Sequence, residues 1–409
     1  MLVYHTTIFL FTQLWIFRKN PLKICYFVVY CRKCGGDIVN PIIKWPGGKS
    51  RELDRIKYLI PEHKRYVEPF FGGGALFFDL IPKKAAINDI SGDLMRFYRL
   101  VKAQDQDLHH LLRCYCNSFC QLNETCREEA LELVHLFFKL KEGFLDKDAL
   151  SAALKDFIDG ICTITNPDLS ELVLDPNEFA LQLHRMVQDK FLRTVDNYDK
   201  KPFSTQDLCE NLITGFTGGY YMYFRKVFND IQLGRIEAPS EAYRAANFYF
   251  VREYCYGSMF RYNASGEFNI PYGGMSYNQK DMGSKIDRIF RQETAELFAD
   301  TEIHCCDFLD FFEKINLCAD DFLFLDPPYD TDFSDYEGKD FTKYDQERLA
   351  NALKNTPAKF VLIIKNTEFI HKLYSRDFHI LTFDKQYTYN VRSRNERDAE
   401  HLIITNFPV

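Results

Sequence analysis

The sequence predicts an open α/β sheet interrupted by a long helical insertion, and three observations carry that reading. RYVEPFF (65–71) is a short apolar strand that runs into glycines at 72–74 and then into ALFFDLI, a helix start. AAIND (85–89) is a second strand ending in an acid, followed by the amphipathic SGDLMRFYRLVK. Strand, glycine turn, helix, strand and acid form the layout of a nucleotide-binding half of a doubly wound sheet. After residue 300 strand signals return in EIHCC, DFLFLDPPY, KFVLIIKN and EHLIITNF, each a short apolar run of the kind buried parallel strands show.

Taken in chain order, residues 1–40 stand apart. MLVYHTTIFLFTQLWIF is apolar, but Arg18, Lys19, Asn20, Pro21 and Lys23 interrupt it before the ~20 residues that a membrane span needs. It also lacks the leading positive charge and small-residue cleavage site of a signal peptide. The segment reads as an atypical extension translated from upstream of the true start, and no membrane partner is expected. Its CRKC, with Cys31 and Cys34, is half a zinc site. Cys114, Cys116, Cys120 and Cys126 are irregularly spaced in a helix-like stretch and read as buried thiols, so no metal is expected. Thirteen Cys without regular pairing point to a reducing cytoplasm.

The next stretch, IIKWPGGKS (42–50), ends like a phosphate-binding P-loop. That motif needs a glycine five positions before its Gly-Lys pair, where this chain has Ile43, and Pro46 offers no N–H. Triphosphate hydrolysis is therefore not expected. Glycines at 72–74 would let the backbone approach a ligand at a helix N-terminus, and Asp89 stands where an acid meets ribose hydroxyls in such folds.

The net charge of −7 is unevenly placed. Residues 103–214 hold 20 Asp/Glu against 11 Lys/Arg, and the rest holds 38 against 40. A basic face outside the acidic segment is thus compatible with the sum. The pattern divides the chain into the 1–40 extension, a first catalytic part at 41–102, an acidic helical insertion at 103–215, a Tyr-, Arg-, Asn- and Gly-rich region at 216–300, and a second catalytic part at 301–409. Twenty-four Tyr would suit stacking on flat ligands, though an aromatic-rich core explains the composition more simply.

The stretch FLFLDPPYD (322–330) is the most informative. Four apolar residues carry a strand to its C-terminal end, where α/β active sites lie. Asp326 supplies an acceptor, Pro327 and Pro328 stiffen the turn and offer carbonyls without N–H donors, and Tyr329 supplies a flat face. Such a group holds an exocyclic amine while a ring stacks on the base that bears it.

KWPGGK, VEPFFGGGALF, the IND acid and DPPY, in that order, resemble the DNA adenine methyltransferase (Dam-like) family. The likeness covers roughly 41–102 and 218–409. It includes YYMYFRKVFN (220–229), CYGSMFRYNASGEFNIPYGG (255–274) and RNERDAEHLIITNF (394–407). The resemblance implies a Rossmann-like S-adenosylmethionine-dependent sheet with an inserted DNA-recognition region. It implies methyl transfer to N6 of a flipped-out adenine in double-stranded DNA. By the same mapping, Trp45 and Lys49 border the methionine end of S-adenosylmethionine, with Lys49 meeting its carboxylate. Phe70, Gly72 and Gly74 form the cofactor loop, Asp89 binds the ribose, Asp307 meets the adenine, and Asp326 lies between cofactor and target. Asp326, Pro327, Pro328 and Tyr329 are the expected catalytic group. Arg252, Arg261, Asn263 and Asn269 are expected to touch DNA, and Arg392 and Arg394 to grip phosphate.

GATC is the first expectation for the recognition site, although Gly257-Ser258 stand where GATC-reading members carry Asn-Gly. The protein would be bacterial or phage-encoded and cytoplasmic, solitary or paired with a cognate restriction endonuclease. N4-cytosine methylation and a catalytically silent DNA-binding relative are the alternatives.

Overall fold

The computed structural model describes residues 40–49, 52–163, 167–328, 341–386 and 398–409. The expectations for the extension, Cys31, Cys34, Tyr329, Arg392 and Arg394 lie outside them. Among the described residues, seven strands form one sheet: β1 Arg65–Glu68, β2 Ala85–Asn88, β3 Thr301–His304, β4 Asp321–Leu325, β5 Lys359–Lys365, β6 His379–Gln386 and β7 Asp398–Thr405. Their order is β3-β2-β1-β4-β5-β7-β6. The first five are parallel, with Val67 beside both Ala86 and Leu323.

Two features depart from the sequence reading. β7, read above as another parallel strand, runs antiparallel to both β5 and β6. β6 gave no strand signal, because HILTFDKQ sits at the sheet edge and leaves much of its surface, including Leu381, exposed.

Alternation along the strands divides the interior into two cores, as the two-residue period of a strand requires. Tyr66, Ile87, Phe322, Phe324 and Ile363 point into one. Val67, Ala86, Leu323, Leu325, Leu362 and Ile364 point into the other. The second core is closed by helices Phe308–Ile315, Lys343–Lys354 and Glu368–Tyr374. The first is closed by helices Ala75–Leu80 and Gly92–Lys102, and it continues without a break into the inserted helices.

Those helices include Gln106–Glu128, Pro167–Leu172, Pro176–Lys200, Thr205–Gln232 and Glu241–Tyr254. The boundary expected at 215/216 falls inside Thr205–Gln232. Gly215 and Gly219 serve packing in this helix. A Cβ on Gly219 would lie 3.0 Å from the Leu183 backbone, and one on Gly215 3.2 Å from that of Val187. Gly219→Val is therefore expected to cost about 1–3 kcal/mol through overpacking. Gly160 is exposed in helix Lys147–Thr163, where a Cβ meets nothing within 4 Å. Gly160→Ala is expected to hold or raise the Tm, and thermal melts of the two variants check the contrast.

Most of the described tyrosines belong to this interior. Tyr220 shares a hydrogen bond with Ser118 (2.7 Å), Tyr243 donates to the Leu172 carbonyl (2.6 Å), and Tyr221 donates to that of Ile270 (2.9 Å). Each buried ring thus also ties two segments together through its hydroxyl. Among the described residues, no helix is long and apolar enough to cross a membrane.

Candidate active site

The strand order reverses between β1 and β4, and a cavity of about 300 Å³ opens at their carboxyl ends. This is the switch point where open α/β sheets bind ligands. Trp45, Lys49 and Phe70 line it together with Gly72, Gly74 and Asp89. From the other side come Asp307, Asp326, Pro327 and Pro328. Segments separated by more than 250 residues in sequence thus converge on one space.

The glycine turn is held from both sides. The Gly72 N–H donates to Asp89 Oδ2 (2.8 Å) and the Ser91 N–H to Asp89 Oδ1 (3.0 Å). Ser91, in turn, caps helix Gly92–Lys102. Burial raises the Asp89 carboxyl above its ordinary value despite these donors. Gly72 and Gly74 have φ of 49° and 63°, in the left-handed region that favours glycine. Their missing side chains also leave room for protein. A Cβ on Gly72 would lie 2.6 Å from the Trp45 ring, and one on Gly74 2.4 Å from that of Phe71. The indole is thereby clamped between the turn and Phe260, 4.5 Å away edge-on.

Lys49 already has partners within the chain. Its ammonium is 2% exposed, forms an ion pair with Asp326 and donates to the Gly47 carbonyl (3.1 Å). A carboxylate of the chain, the one at the end of β4, meets it. Asp307 caps helix Phe308–Ile315 by accepting from the Leu309 N–H (2.9 Å), and Arg348 pairs with it (2.7 Å) and with Asp345 (2.8 Å).

Four supporting residues escaped sequence reasoning. Asn88, the middle letter of IND, donates to the Pro69 and Cys306 carbonyls (3.1 and 3.0 Å) and accepts from the Cys306 N–H, which pins the ends of β1, β2 and β3 together. Gln346, fully buried, donates to the Pro328 carbonyl (3.0 Å) and so braces the DPP turn. Arg348 holds the Asp307 corner. Glu68 lies in the cavity wall and accepts from the Tyr66 hydroxyl (2.6 Å). Burial, then the Asp326 and Asp89 carboxylates, push it well above the usual range, which favours its protonated form. Only Glu68, the acid of VEPFF at a strand end, carried a signal that could have found it.

Of the four expected DNA contacts described here, Arg252 is a correction. It is 1% exposed, its guanidinium lies 3.6 Å from the centre of the Phe260 ring, and it donates to the Met259 carbonyl (2.8 Å). It packs beneath the 255–274 segment, where the Phe260 ring face and the Met259 carbonyl offset the cost of burying its charge. Arg261 is exposed and donates to Asn269 Oδ1 (2.8 Å). Asn263 accepts from the Ser265 and Glu267 N–H groups, which builds the NASGE turn.

Glu253 links this segment to the KWPGGK stretch. It is fully buried, accepts from the Lys44 N–H (3.2 Å), and pairs with Lys280 (2.8 Å) and Lys285. Burial pushes its carboxyl up, but the two lysines outweigh burial and hold it at about 2. The folded value lies below the ordinary 4.5, so the stabilisation is complete above pH 4.5 and is lost as pH falls toward 2. The stability gap between the protein and Glu253→Gln is expected to shrink by roughly 3 kcal/mol across that window. Denaturant titrations at stepped pH measure it.

Fold and cavity together define an α/β protein with a ligand-sized cavity at the switch point of its sheet. The family model for D12 class N6 adenine-specific DNA methyltransferases matches residues 45–144 and 165–389, and the chain belongs to that family. It is 36% identical over 167 residues to the type II methyltransferase M.CviBI of Paramecium bursaria Chlorella virus NC1A, a match spanning 40% of this chain and 61% of the relative. Longer matches reach the type II methyltransferase M1.LlaDCHI of Lactococcus lactis subsp. cremoris (24% over 378 residues, 90% and 96% of the two chains). A DNA adenine methylase of Vibrio cholerae is 20% identical over 377 residues, 89% and 95% of the two chains.

Proposed function

We propose that this chain transfers the methyl group of S-adenosylmethionine to N6 of an adenine swung out of duplex DNA at a specific site. The observation that carries this reading is the single cavity shared by the KWPGGK loop, the glycine turn and the DPP turn. Its walls suit the donor. The acidic side chains of Glu68, Asp89, Asp307, Asp326 and Asp345 outnumber the Lys49 and Arg348 cations beside them. A ligand bearing a sulfonium offsets that surplus.

When bound, S-adenosylmethionine supplies an electrophilic methyl group. The chain's own residues do the rest. Asp89 receives the ribose hydroxyls, Phe70 and Asp307 bound the adenine end, and Trp45 walls the methionine end. Lys49 pairs with Asp326 and aims it. Asp326 and the Pro327 carbonyl accept hydrogen bonds from the target amine, which turns its lone pair toward the methyl, and the displaced proton leaves to water. Positioning supplies much of the acceleration.

Extruding the base costs a few kcal/mol. Tyr329, outside the described residues, returns about 1–3 kcal/mol of that by stacking. Arg261, Asn263, Asn269, Arg392 and Arg394 are the proposed DNA contacts. A cognate restriction endonuclease, and a cytoplasmic site of action on DNA, belong to the same proposal.

Nucleoside mass spectrometry of duplex DNA incubated with the purified protein and labelled S-adenosylmethionine tests it. N6-methyladenine is expected, whereas N4-methylcytosine or no modified nucleoside would overturn the assignment.

A further inference from the structure

Outside the lining of the catalytic cavity, two inserted helices bring three metal-ligating side chains together, with Asp168 beside one of them. His110 and Cys114 stand four residues apart on helix Gln106–Glu128, and Asp168 and Glu171 three apart on helix Pro167–Leu172. Both spacings place side chains on one helix face. Cys114 Sγ lies 3.6 Å from His110 Nε2 and 3.6 Å from Asp168 Oδ1. Glu171 Oε2 lies 2.6 Å from His110 Nε2, and the donor atoms of His110, Cys114 and Glu171 all fall within 4.8 Å of one another.

We propose that His110, Cys114 and Glu171 hold a zinc-type divalent cation, with Asp168 closing in from beside Cys114 as the fourth ligand, and so clamp helix Pro167–Leu172 onto helix Gln106–Glu128. The two 3.6 Å separations match the edge of a tetrahedron with Zn–S near 2.3 Å and Zn–N or Zn–O near 2.0–2.1 Å, which is about 3.5 Å. The His110–Glu171 pair is shorter than such an edge and must part by under about 1 Å as the ion enters. Both side chains are about half exposed, so they can move and leave a route in, while Cys114 is 1% exposed and forms the dry floor. Asn117 donates to the other Asp168 oxygen (3.0 Å), the outer-shell support that ligating carboxylates have.

The chemistry is a proton-for-metal exchange. Without metal, Cys114 is an S–H donor to Asp168. On binding, the S–H bond breaks, the proton goes to solvent and a sulfur–metal bond forms, with no change of oxidation state. Affinity therefore rises with pH. The clamp has a structural consequence as well. Leu172 is fully buried and its carbonyl accepts from Tyr243, so fixing this short helix braces Glu241–Tyr254, the helix that leads into the recognition segment. Cys114, read from sequence as a buried thiol, gains this role only because its acidic partners arrive 54 and 57 residues later.

Cobalt(II) titration of the chelator-treated full-length protein tests the site. One equivalent should bind with a sulfur-to-cobalt charge-transfer band and tetrahedral visible absorption, and zinc should displace it and raise the Tm. Cys114→Ser should abolish the band. Because that residue is buried, the exposed variants His110→Ala and Glu171→Gln provide a second reading. Each should weaken cobalt binding at least about tenfold while DNA methylation by the metal-free protein is unchanged. Absence of stoichiometric binding, or a band that persists in Cys114→Ser or keeps its affinity in His110→Ala, would overturn the proposal.

Discussion

Asp326→Asn is expected to lower the rate of DNA methylation by roughly 10²–10³-fold, the scale of removing one preorganised electrostatic group from a reacting centre. The carboxylate terminates a fully buried strand and faces the cavity beside Pro327. Asparagine keeps its shape but presents an amide N–H₂ where the target amine needs an acceptor. S-adenosylmethionine affinity should move by less than about tenfold, or 1.4 kcal/mol, because Asp89 and Asp307, the proposed contacts of its ribose and adenine ends, are untouched. Asp326→Ala should lose as much activity and also stability, since it takes a partner from an ammonium that is 2% exposed. Filter-bound tritium incorporation, calorimetric donor binding and circular dichroism on each variant separate the effects. Near-normal turnover in either variant would remove Asp326 from the mechanism.

Gly72→Val should act on the donor rather than on DNA. The new Cβ would stand 2.6 Å from the Trp45 ring at a φ of 49°, so the indole must leave the cavity wall or the turn must open. Left-handed backbone at a non-glycine residue costs about 1–3 kcal/mol, and displacing the wall distorts the methionine end of the site. Donor affinity should fall more than about tenfold. Gly74→Val meets the Phe71 ring, which is 2% exposed in the core, so its main effect should be a lower Tm. Calorimetry and thermal melts distinguish the pair, and unchanged donor affinity in Gly72→Val would contradict the placement of Trp45.

The catalytic sheet was legible because its central strands are short apolar runs ending in chemistry. VEPFFGGG, IND and FLFLDPP each place a polar residue at a strand's carboxyl end, and the structure brings all three to one cavity. The edge was not legible. β6 is half polar, and the antiparallel direction of β7 depends on a partner with no apolar signature. Arg252 misled for a related reason. An arginine in a polar, aromatic stretch reads as a DNA contact, yet three rings close around it. Lys49 and the glycines do line the cavity, but their partners were not foreseen. The Lys49–Asp326 pair spans 277 residues, and Gly72 faces Trp45 rather than a ligand alone. Gln346 and Arg348 sit on an ordinary amphipathic helix, and only the folded chain reveals that they hold the DPP turn and Asp307.

Photolabelling with methyl-tritiated S-adenosylmethionine, followed by peptide mapping, tests most directly that donor and target share the cavity between β1 and β4. Label is expected on peptides containing Trp45 to Lys49, Glu68 to Ala75 or Asp326 to Pro328, and it should be lost in Gly72→Val. Label confined to the inserted helices, or undiminished in that variant, would contradict the site.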